Sequence, residues 1–597
     1  MKTLKAKLFF PFLILGVLSM SGCALSKMAR MSKDQGLTVE PTPLEVHGNE
    51  VKFTMSANLP VKMLKPKKVY TLNTYYQYGT QEKQLAPVVF NAKDYPNAST
   101  EQPKVSKEYS FAYDPAMSRG NLLVQGVASN PKTGNFVESE KLIIAEGLIT
   151  TSTLVQPSYF TSYAPHGYND KEELIPTNVE FFFEQGRSVL RPVEKNSDRG
   201  SRFAAFIAEK NATKTVTITG THSPEGKDRI NADLAKERAV AIETWYREQM
   251  DKYDYQGMAS QIRFITKPVV DDWNELKAML SSYNGISSAQ KSEWTNIING
   301  SGSFEQKEKQ LQKLSTYKQV FKDIYPQLRT AKTEVLTIKP KKSREEIISL
   351  AKSIAQGRGS ADQLSAEELA YAASFSPSLE EKKSIYEAAA KKNDTWAIHN
   401  NLGAVSMEMA MAASGREKTN MLRDAINHFE ISNQKNANVH AQANLGMAQA
   451  MQNNNQAALD ALNKALTMNP GNDVRQGVNG AKGAIEIKMA SYDAALSSLG
   501  NATNRSVDQY NKGMAQLLKE DFRSAQSTFE TVISNDRAFV WAHYLAAVAA
   551  ARQGNENKVI ENLRNAVNAD ASLKAKALSD LEFREFSGTQ AFIDILK

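Results

Sequence analysis

The chain reads as a multidomain α+β protein, with an N-terminal β-sandwich-like domain, a central α/β domain and a C-terminal all-α solenoid. Three observations predict this. Runs of alternating apolar and polar residues, broken by Pro, Gly and Asn, dominate up to about Tyr163. A strand, helix, strand, loop, helix order starts near Asn178. Beyond about residue 360 an Ala-, Asn-, Leu- and Met-rich stretch repeats itself at steps near 34 residues. With 597 residues, 41% of them hydrophobic, the chain can bury several separate cores.

The first 22 residues carry Lys2, Lys5 and Lys7, then a mostly apolar run from Leu8 to Met20, then Ser21-Gly22 before Cys23, the single cysteine. As a helix, Leu8 to Met20 spans about 20 Å, short of the roughly 30 Å hydrocarbon core of a bilayer. The leader is therefore expected to be a cleaved signal, not a permanent span. Ser21-Gly22-Cys23 resembles a bacterial lipoprotein lipobox, departing from it at Met20, where leucine is commoner. The resemblance implies lipidation of Cys23 by diacylation on sulfur and acylation on the amine, enough chains for stable anchoring. Ala24, Leu25 and Ser26 include no acidic residue, so the expected location is the outer membrane, facing the periplasm. With no second cysteine, each domain must hold together by burial alone.

The formal charge of +8 includes the three leader lysines, leaving +5 spread thinly along the chain. That argues against nucleic acid as a partner. Lys65-Pro66-Lys67-Lys68 and Lys339-Pro340-Lys341-Lys342 read as solvated turns or linkers.

After the leader, residues 23–36 read as a polar tether and 37–163 as the β-rich domain. Val51 to Met55, Val69 to Leu72 and Leu122 to Val127 alternate as half-buried strands do, and a small sandwich is the simplest packing for them. The central domain spans 175–340. Val179 to Phe183 reads as a buried strand, Asn196 to Lys210 as a helix with Phe203, Phe206 and Ile207 at helical spacing, and Thr215 to Thr219 as a second strand. The loop Gly220 to Gly226 follows, then a helix from Asn231 through Trp245.

Gly220, Gly226, Asn231, Leu234 and Arg238-Ala239 stand at the spacing of the OmpA-like peptidoglycan-binding family, which this segment resembles. In that family a loop aspartate and the helix arginine grip the diaminopimelate of a stem peptide, the carboxylate meeting its ammonium and the guanidinium forking onto its carboxylate. Arginine suits the second task because its planar donors match a carboxylate at two points. Here Ser223 stands in the aspartate place and cannot supply the charge. Glu225, two residues on, is the candidate replacement. The resemblance thus implies peptidoglycan as a partner and Ser223, Glu225, Asn231 and Arg238 as its site; the alternative is a purely structural domain. Residues 253–330 read as a helical insertion, with Trp273, Leu276, Met279 and Leu280 as its core, ahead of a final strand from Thr333 to Ile338.

In the last third, 360–597, Leu402-Gly403 recurs as Leu445-Gly446 after 43 residues, and Asn479-Gly480, Lys512-Gly513 and Leu545-Ala546 follow at steps of 34, 33 and 33. The long first step is read as one repeat plus an insertion around Gly415 to Leu422. Ala458, Leu462, Ala465 and Pro470 fall where the tetratricopeptide (TPR) pattern wants small, large, small and proline. Ala425 with Phe429, and Ala525 with Phe529, give the same pair. The region resembles TPR arrays, with a degenerate first repeat at Leu364–Ser374 and Leu379–Lys391 and a capping tail from Ala571. Such arrays stack into a curved solenoid whose inner face holds a peptide or partner protein. Asn400, Asn401 and Asn444 are candidates to line that face and clamp a partner's backbone; ordinary polar positions are the alternative.

No catalytic arrangement stands out. His-Glu-x-x-His, Gly-x-Ser-x-Gly and phosphate-binding Gly loops are absent, the seven histidines are scattered, and His222-Ser223 has no placed base. The expected protein is not an enzyme and needs no cofactor or metal. It is a lipid-anchored envelope scaffold that binds peptidoglycan and recruits a protein through its TPRs. The alternative is an accessory subunit of an outer-membrane secretion, gliding or assembly machine, with the OmpA-like domain as a spacer. The combination of parts resembles envelope proteins of the Bacteroidota.

Overall fold

The computed structural model describes residues 23–255, 257–270 and 272–597; the signal leader expected at 1–22 lies outside them. The chain divides into two compact units. One is the chain up to Gly167 together with Ile347–Lys597, and the other is Tyr168–Glu346. In sequence, the second unit is an insertion in the first.

The expected tether is instead a helix, α1 (Cys23–Met31). Leu25 and Met28, on one face at helical spacing, are buried in the β-rich core, and Ala29 beside them is buried too. The strands of that core are β1 (Gly36–Glu40), β2 (Leu44–His47), β3 (Glu50–Asn58), β4 (Val69–Tyr78), β5 (Gln81–Gln84), β6 (Val88–Asn91), β7 (Lys104–Ala112), β8 (Asn121–Ser129), β9 (Phe136–Glu146) and β10 (Leu148–Ile149). They form two sheets. One is ordered β1-β3-β2-β10 with β7 on β3, and the other β5-β4-β8-β9 with β6 on β4. In β3 and β4 alternate residues are buried, so Val51, Phe53 and Met55 from one sheet share a core with Tyr70, Leu72, Tyr76, Leu122 and Val124 from the other. The sandwich ends at Ile149. The segment 150–163, expected to belong to it, leaves it and runs into the solenoid.

The second unit is built on β11 (Leu174–Phe182), α2 (Pro192–Lys195), α3 (Asp198–Ala208), β12 (Thr213–Gly220), α4 (Asp228–Lys252), β13 (Arg263–Pro268), α5 (Asn274–Ser282), α6 (Ser288–Asn299), α7 (Phe304–Leu311), α8 (Tyr317–Asp323) and β14 (Thr330–Ile338). The sheet order is β11-β14-β12-β13, with only the β12/β13 pair parallel. Phe181, Phe203, Ile207, Val216, Ile218, Trp245 and Tyr246 make its core. Gly220 ends β12 where α4 crosses it; a Cβ there would lie 1.9 Å from the Ala235 carbonyl oxygen. The expected all-helical insertion at 253–330 is corrected by β13. This short edge strand shows no alternating burial, so it carries little of the period-two signal by which strands are read. The helices that follow have their own core, including Trp273, Leu276, Leu280, Trp294 and Tyr325.

Helix α9 (Arg344–Ala355) leads into antiparallel pairs: α10 (Ala366–Phe375) with α11 (Leu379–Lys392), α12 (Trp396–Ala412) with α13 (Gly415–Lys435), α14 (Val439–Met451) with α15 (Asn455–Thr467), α16 (Asn472–Lys488) with α17 (Tyr492–Gly500), α18 (Ser506–Leu518) with α19 (Phe522–Asn535), and α20 (Val540–Arg552) with α21 (Glu556–Ala569). The short helices α22 (Leu573–Ser579) and α23 (Gln590–Leu596) cap the array. Ala425, Phe429, Ala458, Leu462, Ala465, Ala525 and Phe529 are all fully buried. The extra residues near Gly415 form no loop; they lengthen α13 to 21 residues.

Glycines let each pair close. A Cβ at Gly403, Gly446 or Gly513 would sit 2.6, 2.6 or 2.8 Å from Phe429, Leu462 or Phe529. In α16 that role belongs to Gly483, whose Cβ would meet Leu499 at 2.4 Å. It does not belong to Gly480, expected from the 34- and 33-residue steps. Three extra residues precede Gly483, close to one helical turn, so the repeat keeps its face while the motif shifts along the helix.

Candidate binding groove and loop site

After a 3-10 turn at Thr151–Leu154, residues 155–167 continue without regular secondary structure as a strap along the inner helices of the solenoid, antiparallel to the repeat order. At its start Thr151 donates to the buried Glu582, and Tyr510 donates to the Leu154 carbonyl at 3.0 Å. Asn511 on α18 then pairs with Gln156 at two points, accepting from its N–H at 3.0 Å and donating to its carbonyl at 2.7 Å. Arg505 donates to the Tyr159 carbonyl at 2.9 Å and to the Ser158 hydroxyl at 2.7 Å, and that hydroxyl in turn donates to Asp508.

The three asparagines singled out in the sequence lie together further along the strap. Asn444 accepts from the Ser162 N–H at 2.9 Å and donates to the Ser162 carbonyl at 2.7 Å. Asn401 does the same at Ala164, at 2.7 and 3.1 Å. Asn400 donates to the Ser162 carbonyl at 3.0 Å and bridges its neighbours, donating to Asn401 Oδ1 and accepting from Asn444, both at 3.0 Å. An amide can do this because it carries a donor and an acceptor side by side, complementary to one residue's C=O and N–H. The backbone they grip belongs to this chain. Ser162 Oγ lies 2.8 Å from His440 Nδ1, and the Tyr163 hydroxyl donates to Glu408 at 2.8 Å. Burial holds the His440 pKa below its usual value.

Asn511 was missed in the sequence although a signal existed. It stands two residues before Gly513, as Asn401 and Asn444 stand before Gly403 and Gly446. Two residues before Gly483 comes Ala481, so α16 carries no amide there. Instead, Gly477 and Gly480 leave room for the strap: a Cβ at Gly477 would meet the Phe160 ring at 2.7 Å, and one at Gly480 would meet Ser158 Oγ at 2.9 Å.

In the second unit the family-suggested residues divide into two groups. Arg238 is buried, and each of its guanidinium nitrogens donates to a main-chain carbonyl: Nε to Arg187 at 3.0 Å, Nη1 to Thr221 at 2.7 Å and Nη2 to Glu184 at 3.2 Å. Burial, with Arg329 adding to it, lowers its pKa to about 10, so it stays charged at neutral pH. Ser223 and Glu225 face Arg329 instead. Arg329 Nε donates to Ser223 Oγ at 2.9 Å and to Glu225 Oε1 at 3.2 Å, and Nη2 reaches Glu225 Oε1 at 2.8 Å. Arg329, just before β14, was outside the sequence reading because nothing in its neighbourhood marks it. Asn231 is buried beside Gly226, and its Nδ2 and Glu225 Oε2 are buried atoms without a hydrogen-bond partner. Deeper in the insertion, Glu308 accepts from Tyr317 at 2.5 Å and from Tyr325 at 2.7 Å, and burial raises its pKa.

Among the described residues no helix is long and apolar enough to cross a membrane, and no group of three or more His, Cys, Asp or Glu is placed to hold a metal ion.

No family model matches the chain, and none of the curated proteins does. Solved structures similar to it are repeat proteins. YrrB, described as a TPR protein with an unusual peptide-binding site, is 20% identical over 32% of this chain and 98% of its own, with a TM-score of 0.27. A tetratricopeptide repeat protein from Parabacteroides merdae is 14% identical over 42% of this chain and 97% of its own, TM-score 0.27. The C-terminal part of a TPR repeat-containing protein from Cytophaga hutchinsonii is 16% identical over 40% and 98%, TM-score 0.28. The solenoid assignment here rests on the chain's own helix pairs and their glycine contacts.

Proposed function

We propose that this chain is a lipid-anchored scaffold of a bacterial cell envelope, held at Cys23 in the outer membrane and facing the periplasm. Its solenoid binds a protein partner and its α/β unit binds peptidoglycan. The observation that carries the scaffold reading is the asparagine ladder, a surface built to hold extended polypeptide by its main chain. The wall-binding part rests on the OmpA-like positions Gly220, Gly226, Asn231, Leu234 and Arg238. It is supported by the unpartnered polar atoms of Glu225, in the loop after β12, and of Asn231, in the first turn of α4.

A second reading, in which the chain is an accessory subunit of an envelope machine and the α/β unit is a spacer, is favoured by one observation. Arg238 is held by three carbonyls and is not turned toward a ligand's carboxylate. Sedimentation of the full protein with purified diaminopimelate-type peptidoglycan separates the two, run beside Ser223→Asp, Glu225→Gln and Arg329→Ala. Cosedimentation of wild type, weakened by Glu225→Gln and Arg329→Ala, is the expected result. Wild type that stays in the supernatant while Ser223→Asp pellets means the site has been abandoned and the spacer reading holds. The anchor is tested separately by Cys23→Ser, which should move the protein from the membrane to the soluble fraction.

A further inference from the structure

The strap is gripped in two different ways along its length. Its first half is held by main chain, at Leu154, Gln156 and Tyr159, and is read by side chain as well: Val155 is part of the solenoid core, Ser158 is 2% exposed between Asp508 and Arg505, and Phe160 occupies the space left by Gly477. Few other sequences would fit there. Its second half is read mainly by main chain. Asn444, Asn400 and Asn401 take the peptide groups of Ser162 and Ala164, whose buried side chains are small. Side-chain readout there comes from half-buried partners, His440 for Ser162 and Glu408 for Tyr163. Main-chain pairing with alternate residues is indifferent to sequence so long as the inward side chains are small, as in strand addition to a sheet edge. The second half also ends at Gly167, in left-handed backbone at φ 77°, where the first unit stops.

We propose that Asn400, Asn401 and Asn444 form an exchangeable peptide site. In it, Ser162–Ala164 is an internal occupant that an extended segment of a partner protein replaces while Leu154–Phe160 stays anchored. The partner segment carries Ser or Ala at two positions spaced by one residue, with a hydroxylated aromatic residue between them able to reach Glu408. The proposal rests on reading the solenoid as a partner-binding scaffold. It is independent of the α/β unit, so a failed wall-sedimentation experiment leaves it untouched.

The test uses the full protein and a fluorescent peptide with this chain's own sequence from Thr161 to Gly167. Ser162→Glu places a charge at a buried position of the strap without altering the groove. Anisotropy should show the peptide binding this variant at least tenfold more tightly than wild type, and adding Asn401→Ala should abolish that binding. Independently, hydrogen exchange of the wild-type protein should find the amides of Ser162 and Ala164 exchanging at least tenfold faster than that of Gln156, after correction for intrinsic rates. A folded Ser162→Glu variant that takes up no peptide overturns the proposal, as does equal protection of the three amides in wild type. If Ser162→Glu does not fold, the exchange comparison decides alone.

Discussion

Asn444→Ala is the most direct probe of the ladder. Asn444 is 0% exposed and joins the strap to its neighbour through three hydrogen bonds. Without the amide, the Ser162 carbonyl keeps its bond from Asn400, but the Ser162 N–H and Asn400 Oδ1 each lose a partner in a buried site. A buried polar group left unsatisfied costs about 1–3 kcal/mol, so the two together put the gross loss at about 2–6 kcal/mol. Alanine returns up to about 0.7 kcal/mol as the better helix former, leaving at least about 1.3 kcal/mol. A single unfolding midpoint would not report this in a chain of several domains, so the assay is hydrogen exchange at the strap. A loss of that size accelerates exchange of the Ser162 amide by about tenfold or more. The control Asn427→Ala, on an exposed face of α13, should stay within about 0.5 kcal/mol of wild type. Acceleration below about threefold in folded Asn444→Ala would mean that the ladder does not hold the strap. Asn444→Asp sharpens the point. A carboxylate accepts only, so it faces the Ser162 carbonyl and Asn400 Oδ1 without a donor. Its pKa should be raised, with strap protection falling as pH climbs from the ordinary aspartate value of about 3.9 toward that raised value.

Three further outcomes follow from the packing and the charges. Gly446→Ala gains about 1 kcal/mol of helix propensity, yet its new methyl lies 2.6 Å from the fully buried Leu462. Overpacking of this kind costs about 1–3 kcal/mol, so hydrogen exchange in α14 and α15 should show net destabilisation, whereas Gly500→Ala, with open space around it, should not speed exchange in α17. Arg238→Ala should loosen the fold itself, because carbonyls 184, 187 and 221 lose their shared donor. Local exchange around 184–190 should rise strongly, and Arg238→Lys, lacking the planar fork, should not restore it. Glu308 is a buried acid whose folded pKa is raised by burial. The native state therefore holds its proton longer than the unfolded state, and stability falls as pH rises from the unfolded value of about 4.3 to the folded one. Relative to wild type, Glu308→Gln should gain stability between pH 4 and pH 7; a constant difference across that range would show that Glu308 does not titrate there.

Much of this architecture was legible in periodicity. The alternation of Val51–Met55 and Val69–Leu72 marks β3 and β4, and the small and large residues Ala458, Leu462, Ala425 and Phe429 mark helices whose contacts are local to a repeat. Such patterns survive in sequence because each records a nearby partner at a fixed offset. The same locality explains why Asn400, Asn401 and Asn444 could be singled out as inner-face residues. It also explains two of the misplacements. Strand β13 sits at an edge with no buried face to impress a period, and Gly483 carries a motif moved by one turn, which a fixed step of 33 or 34 passes over.

By itself, then, the sequence determined the order of sandwich, α/β unit and solenoid and the repeat phase through most of the array, and it raised Asn400, Asn401 and Asn444 as candidates. Only the tertiary structure decided what those amides hold. The strap meets Asn401 and Asn444 across 237 and 282 residues, and Ser223 and Glu225 meet Arg329 across 106 and 104. A pairing between groups so far apart in the chain leaves no spacing rule in either partner. Main-chain recognition leaves still less, because the peptide groups of Ser162 and Ala164 are the same as those of any other residue.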